Sequence, residues 1–230
     1  MKRTLVGIVL AGLYATASAQ GYVGAIVGLS NYDIDCNRLS PCDKKGKAVK
    51  LYAGTQLKKG LVDTERFKLD TIEVGYIRFG GVRTTNGTRQ DTREDLDTGD
   101  TIVTSRTMGT DAQANAIVLA GVGRFIITPS LTASGKLGVA YVNTTIDQTL
   151  GGASWGSETK SKLKPYLGLG IEYAVTDKLK VVGSFDYTKY ESSLDGKVDG
   201  IADNLPTNQV SDATIKGSVY QLGLGVQFGF

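Results

Sequence analysis

The 230-residue chain contains no histidine and two cysteines, which removes most of the usual catalytic chemistry at once. Without imidazole, acid–base work near neutral pH falls to carboxylates or amines whose pKa a special site would have to move, and no such site is visible. No catalytic residue is assigned, and no enzymatic activity is expected. Cys36 and Cys42 sit with five residues between them in the polar stretch DCNRLSPCDK. Two thiols without a histidine make an incomplete metal shell, so no metal and no cofactor is expected. In an exported chain the pair is expected to close a local disulfide, because that compartment is oxidising. Gly-x-Gly recurs at Gly121, Gly168 and Gly223, but inside alternating segments rather than at strand-to-helix turns, so a phosphate-loop reading fails. What remains is a set of charges that recur with the period of a strand: Lys50, Glu73, Arg124, Lys136, Glu172, Lys180 and Asp186. Such charges can line a water-filled conduit or close it as a salt-bridged plug.

The elements that position these charges are clearest in the final segment, Ser218 to Phe230. Tyr220, Leu222, Leu224, Val226, Phe228 and Phe230 alternate with Gln221, Gly223, Gly225, Gln227 and Gly229. One apolar face and one small or polar face, with aromatics near both ends, is the pattern of a β-strand with lipid on one side and a lumen on the other. At the other end, Lys2 and Arg3, an apolar run from Leu5 to Ala15, and Ala17-Ser18-Ala19 satisfy the three parts of a secretory signal peptide. Residues 1–19 are therefore expected to be a leader and 20–230 a single barrel domain. Of the 26 Lys and Arg, two lie in that leader, leaving 24 against 23 acidic residues. That balance lacks the basic footprint of a nucleic-acid binder, so no nucleic acid is expected as partner. No apolar run after the leader is long enough for a membrane helix. Membrane residence then requires a closed barrel, because only closure satisfies every backbone group in lipid.

The alternation predicts eight strands. The first, Gly21 to Ser30, has Val23, Ala25, Val27 and Leu29 on one face and Tyr22, Gly24, Ile26 and Gly28 on the other, with its orientation open. Lys47 to Leu57 follows, with Lys50 and Tyr52 inward. The alternation then changes phase between Leu69 and Ile72, which predicts a bulge. The third strand covers Thr71 to Val82, the fourth Ala112 to Ile127, the fifth Leu131 to Tyr141, the sixth Leu163 to Val175, and the seventh Leu179 to Tyr190. Thr84 to Thr110, Thr144 to Lys162 and Glu191 to Gly217 are expected to be long polar connections, the first an exposed loop open to an unknown extracellular partner. Thr128-Pro129-Ser130 and Thr176-Asp177-Lys178 are expected to be tight turns. Lys58 to Asp70 is expected to be a charged connection of medium length, so the connections run long, medium, long, short, long, short, long, the parity of an up-and-down barrel with both termini on the periplasmic side.

At these residues the chain resembles the transmembrane domain of outer membrane protein A and its small barrel relatives. GYVGAIVGLSNY is similar to that family's first strand, TIEVGYIRFGG to its third, and PYLGLGIEYAVTDKLKVVGSFDY to its sixth and seventh. The resemblance implies an all-β, eight-stranded antiparallel barrel in the outer membrane, surrounded by lipid, whose lumen holds paired charges at Glu73, Lys136, Glu172 and Asp186. Ile26 departs from the pattern, standing where relatives often carry an inward charge. A chain ending on Phe228 and Phe230 resembles the signal by which the barrel assembly machinery recognises its substrates. The family's wall-anchoring role is not expected to transfer, since no periplasmic domain is seen after Phe230.

The function expected from all of this is a non-enzymatic envelope protein of structural role, with narrow or gated permeability and surface-exposed loops. An eight-stranded barrel is barely wider than its own side chains, which favours the plug, with Arg124 joining Glu73, Lys136, Glu172 and Asp186. The alternative is a barrel that takes a small apolar solute at its mouth and releases it laterally. An apolar inner wall near the loops would favour that alternative.

Overall fold

Strand alternation separates an outward face, apolar along the middle of the strands, from an inward one, and the computed structural model closes these faces into a ring. It describes residues 21–33, 44–57, 60–94, 101–194 and 213–230. Eight long strands make the ring: β1 (Gly21–Tyr32), β2 (Lys45–Gln56), β4 (Phe67–Glu94), β5 (Thr101–Thr128), β6 (Leu131–Leu150), β7 (Ala153–Ala174), β8 (Leu179–Leu194) and β9 (Ala213–Gly229). A two-residue strand, β3 (Val62–Asp63), folds back on Lys68 and Leu69 as a spur. Neighbours run antiparallel in the order β2-β1-β9-β8-β7-β6-β5-β4, and β4 returns to β2. Closure pairs the backbone groups that an open sheet would leave bare in lipid.

The final strand is the seam. β9 lies between β8 and β1, and the amides of Gly21 and Phe230 each donate to the other's carbonyl, at 3.2 and 3.0 Å. Glycines let the seam close. Gly28 faces Gly223 and Ile26 faces Gly225. A Cβ at Gly225 would overlap the Ala25 carbonyl, and one at Gly223 would lie 2.6 Å from Ile26 Cγ2. Lower down, Tyr22 lies over Gly54 and Tyr52 over Gly24, with the two rings edge to face at 6.0 Å.

The orientation of β1, open from the sequence, is settled by burial. Tyr22 and Ile26 are buried, whereas Val27 and Leu29 are exposed on the outer face. The remaining strands present the expected faces, with Leu137, Leu169, Leu222 and Leu224 among the most exposed. The phase change before Ile72 is a register shift between Leu69 and Thr71. The two tight turns each open on a threonine whose hydroxyl accepts a backbone amide, from Leu131 to Thr128 Oγ1 at 3.1 Å and from Leu179 to Thr176 Oγ1 at 3.0 Å.

Three expected connections are corrected. The predicted loop Thr84 to Thr110 is for the most part strand: β4 and β5 stay paired from Phe67↔Phe125 out to Glu94↔Thr101. The stretch Thr144 to Lys162 is the paired end of β6 and β7, closed by Gly151 and Gly152 at φ 60° and 85°. Two successive positive-φ residues suit a two-residue hairpin turn. The last polar connection is also shortened, because β8 runs to Leu194 and β9 starts at Ala213. Each of these polar segments carries threonine, whose branched side chain suits a strand without giving an apolar period. The expected alternation of long and short connections is therefore mostly an alternation of projecting hairpins and tight turns.

The outer face of these hairpins changes character within one residue pair. Tyr76, Ile117, Tyr141 and Leu163 form one cross-strand row, and Arg78, Asn115, Asn143 and Ser161 form the next. The second row is hydrogen-bonded sideways, from Asn143 Nδ2 to Asn115 Oδ1 at 3.3 Å and from Ser161 Oγ to Asn143 Oδ1 at 2.5 Å. At this row the apolar outer belt gives way to polar side chains. Between β7 and β8 the ladder has already ended below this row. Their ladder stops at Tyr166↔Thr188, next to Pro165, which has no N–H to donate and whose carbonyl instead accepts from Thr188 Oγ1 at 3.0 Å.

Candidate functional site

Inward parity brings Lys50 from β2, Glu73 from β4, Lys136 from β6 and Asp186 from β8 to one level of the lumen. Each is buried, and Lys50 and Asp186 are fully so. Lys50 Nζ lies 2.8 Å from Asp186 Oδ1 and 3.3 Å from Glu73 Oε1. Lys136 Nζ reaches both Glu73 oxygens, at 2.8 and 2.7 Å. Neutral donors complete the two carboxylates. The Tyr22 hydroxyl donates to Glu73 at 3.0 Å. Asp186 accepts from the Tyr166 hydroxyl, from Ser184 Oγ at 3.1 Å and from Gln221 Nε2 at 2.8 Å. The Lys50 ammonium also donates to the Tyr166 hydroxyl at 3.0 Å, and it lies 5.3 Å from the centre of the Tyr52 ring. The bridge crosses the lumen, since β2 and β8 are separated in the ring by β1 and β9.

Of the charges expected to act together, the structure brings Glu73, Lys136 and Asp186 into this cluster through Lys50. It places the other two elsewhere. Arg124, towards the short-turn end, lies 3.8 Å from Asp70 and 5.3 Å from the Tyr22 ring centre. Glu172 pairs with Lys180 at 2.9 Å, where Lys180 is partly exposed. Two residues gained roles the sequence did not assign. Lys50 was legible as inward but not as the bridge, and Asp70 lay in a segment expected to be a connection. Ile26, where the resemblance led to expect a charge, stands directly opposite Lys50. The interior charge is therefore carried on the neighbouring strand.

Above the charged level the inner wall is apolar. Tyr32, Ile77, Phe79, Val82, Val118, Val142 and Val219 pack together there. Tyr32 and Tyr190 meet edge to face at 5.9 Å, and the Tyr32 hydroxyl donates to the Gly80 carbonyl at 2.7 Å. Phe228 and Phe230 lie on the outer face at the short-turn end, about half exposed. Cys36 and Cys42 lie outside the described residues, as does the leader, residues 1–19. Among the described residues no group of three His, Cys, Asp or Glu side chains is placed to hold a metal ion.

The model of the OmpA-like transmembrane domain matches residues 16–197. The chain belongs to this family. The OmpA-like barrel is thus an outer-membrane protein, and its ring of eight antiparallel strands is the family's fold. No protein with a curated description matches it. Among solved structures it is similar to Neisserial surface protein A, at 14% identity and a TM-score of 0.52, over 91% of this chain and 97% of that one. It is also similar to the attachment invasion locus protein Ail of Yersinia pestis, at 16% identity and a TM-score of 0.44, over 91% and 99%. The outer membrane protease OmpT of Escherichia coli aligns at 8% identity and a TM-score of 0.44, over 94% and 98%. Likeness at these identities speaks to the fold alone.

Proposed function

We propose that this OmpA-like barrel is a non-enzymatic envelope protein whose lumen is held shut by the Lys50 bridge, giving it narrow or gated permeability. The observation that carries the reading is a fully buried ammonium joining carboxylates from β4 and β8 across the lumen. The interior charges also cancel. Lys50, Lys136, Arg124 and Lys180 stand against Glu73, Asp186, Asp70 and Glu172, each in contact with a partner of opposite sign. A conduit selective for ions would keep a surplus of one sign, whereas a plug needs none. The non-enzymatic reading rests on the missing histidine and on lumen acids already tied to cations.

One observation favours a second reading, in which the barrel carries a small apolar solute: the apolar wall above the charged level faces the projecting hairpins. Those side chains are nearly fully buried against one another, so they fill the mouth rather than line a vacancy, and the plug is preferred. Planar-bilayer recording separates the two. Wild type is expected to show rare, small openings, and Lys50→Met larger and more frequent ones. A steady wild-type conductance that Lys50→Met leaves unchanged rejects the plug. Uptake of an apolar dye into vesicles by wild type and Lys50→Met alike would favour the solute carrier.

A further inference from the structure

We propose that Asn86, on the projecting part of β4, is a site of spontaneous deamidation through cyclisation onto the backbone nitrogen of Gly87. Asn86-Gly87 is the one Asn-Gly pair in the chain. Glycine has no Cβ to shield its own amide nitrogen, so an asparagine side chain approaches it more freely than it would any other residue. A paired strand normally opposes that approach, because the ladder holds the asparagine extended and the following amide hydrogen-bonded. The ladder gives way at this point. Against β5, β4 shifts register before Thr71, at Gly80, whose φ is 77°, and between Thr85 and Thr88. At the last shift Thr85 faces Gly109 and Thr88 faces Thr107, which leaves Asn86 and Gly87 against Met108. A bulge of this kind has an extra residue that the ladder does not pair. The other edge of β4 is bare here, since among the described residues its pairing with β2 ends at Arg78. Beyond the bulge the hairpin is two-stranded, because β6 follows β5 only as far as Met108↔Leu150. Such a ribbon is marginal by itself, which loosens the pairing around Asn86 further.

The other asparagines among the described residues are held. Asn31 pairs with Lys45 and Tyr220, Asn115 with Arg78 and Asn143, and Asn143 also with Ser161. The side chains of Asn115 and Asn143 are tied into one hydrogen-bonded row. Each of the three precedes a residue with a side chain, Tyr32, Ala116 or Thr144. At Asn86 the reaction needs only water. The Gly87 nitrogen gives its proton to solvent base and attacks Asn86 Cγ; a C–N bond closes a cyclic imide, and the side-chain nitrogen leaves as ammonia. Water then opens the imide. Attack at Cγ leaves aspartate, whereas attack at the backbone carbonyl leaves isoaspartate, in which the chain runs through the former side chain. Both products put a carboxylate at the base of the two-stranded tip, and isoaspartate also lengthens the bulged strand by a backbone carbon.

The test incubates the full chain, folded in detergent and checked by heat-shifted gel migration, in warm, mildly alkaline buffer beside a synthetic peptide of residues 84–89. The same residues form a tryptic fragment, bounded by Arg83 and Arg89, and Asn115 and Asn143 fall in two others. Digests taken over time are read by chromatography and mass spectrometry. The mass gain of an NH exchanged for O is expected in the fragment of residues 84–89, as two separable isomers, and in neither of the other fragments. Every 1.4 kcal/mol needed to open the ladder would slow the reaction about tenfold, so an unpaired Asn86 is expected to react within about tenfold of the free peptide. Gly87→Ala sets a methyl group beside the attacking nitrogen and is expected to slow the gain about tenfold. A folded chain slower than that bound, or a gain at Asn115 or Asn143 as fast as at Asn86, overturns the proposal. So does Gly87→Ala reacting as fast as wild type. Should that variant not refold, the wild-type chain against the peptide decides by itself.

Discussion

Removing Lys50 should cost more than removing Lys136, although both contact Glu73. In Lys50→Met, Glu73 keeps the Lys136 ammonium at 2.7 Å and the Tyr22 hydroxyl, so it stays compensated. Asp186 does not: its remaining partners, Tyr166, Ser184 and Gln221, are neutral. Breaking a buried pair from one side typically costs about 3 to 5 kcal/mol, and no discount for solvent applies to an ammonium with no exposed surface. In Lys136→Met, by contrast, Glu73 keeps Lys50 at 3.3 Å, and the loss should approach that of a charged hydrogen bond, about 1.5 to 3 kcal/mol. The double variant should cost more than the sum. The two ammonium groups share Glu73 and repel each other; each single variant is credited with relief of that repulsion, so the sum counts it twice. Coupling of this kind runs to about 0.5 to 3 kcal/mol. Urea titration of the four proteins in one detergent, with the folded fraction read from unboiled gel migration, gives the cycle. A Lys136→Met loss equal to or above that of Lys50→Met, or a double variant that simply adds, refutes the bridge.

Two further outcomes test the seam and the cysteine pair. Gly225→Ala places a methyl group against the Ala25 carbonyl, where backbone must move, so folded yield is expected to fall and stability to drop by about 1 to 3 kcal/mol, whereas Gly135→Ala, with open space beside it, should be neutral; equal effects would show that the seam is not tightly closed. Cys36 and Cys42 are expected to be joined within one extracellular loop, so thiol labelling of denatured, unreduced protein should modify neither, and labelling of both would remove the disulfide.

The membrane part of the fold was legible because lipid outside and packing inside impose a period of two on every strand. That period gave the faces of β2, β5, β6, β7, β8 and β9, and even the bulge before Thr71, since one extra residue inverts the phase. It fell silent above the apolar belt. Around Arg83, Asp111 and Asp147 the outer face is polar, so no apolar alternation survives to mark the strand. A local signal was still available at Gly151-Gly152, a dipeptide suited to a hairpin turn, although the polar stretch around it read as a loop. The β4 bulge at Gly80 was likewise invisible as a phase change, because Gly80 and Gly81 have no side chains to show it.

The charge site divides along a similar line, between what one strand knows and what only closure decides. Parity told which charges point inward, and for Lys50, Glu73, Lys136, Arg124, Glu172, Lys180 and Asp186 the side is the one the structure shows. Parity cannot say which charges meet. Lys50 and Asp186 stand 136 positions apart in sequence and on strands that never pair, so their contact depends on how the whole ring is staggered. Arg124 and Glu172 have the same inward parity, yet the stagger sets them near the short-turn end with Asp70 and Lys180 as nearer partners. An uncharged Ile26 fits this logic. With Lys50 directly across the β1–β2 ladder already serving both carboxylates, a further charge on β1 at that level would lack a partner, and an apolar side chain packed at the glycine seam does not.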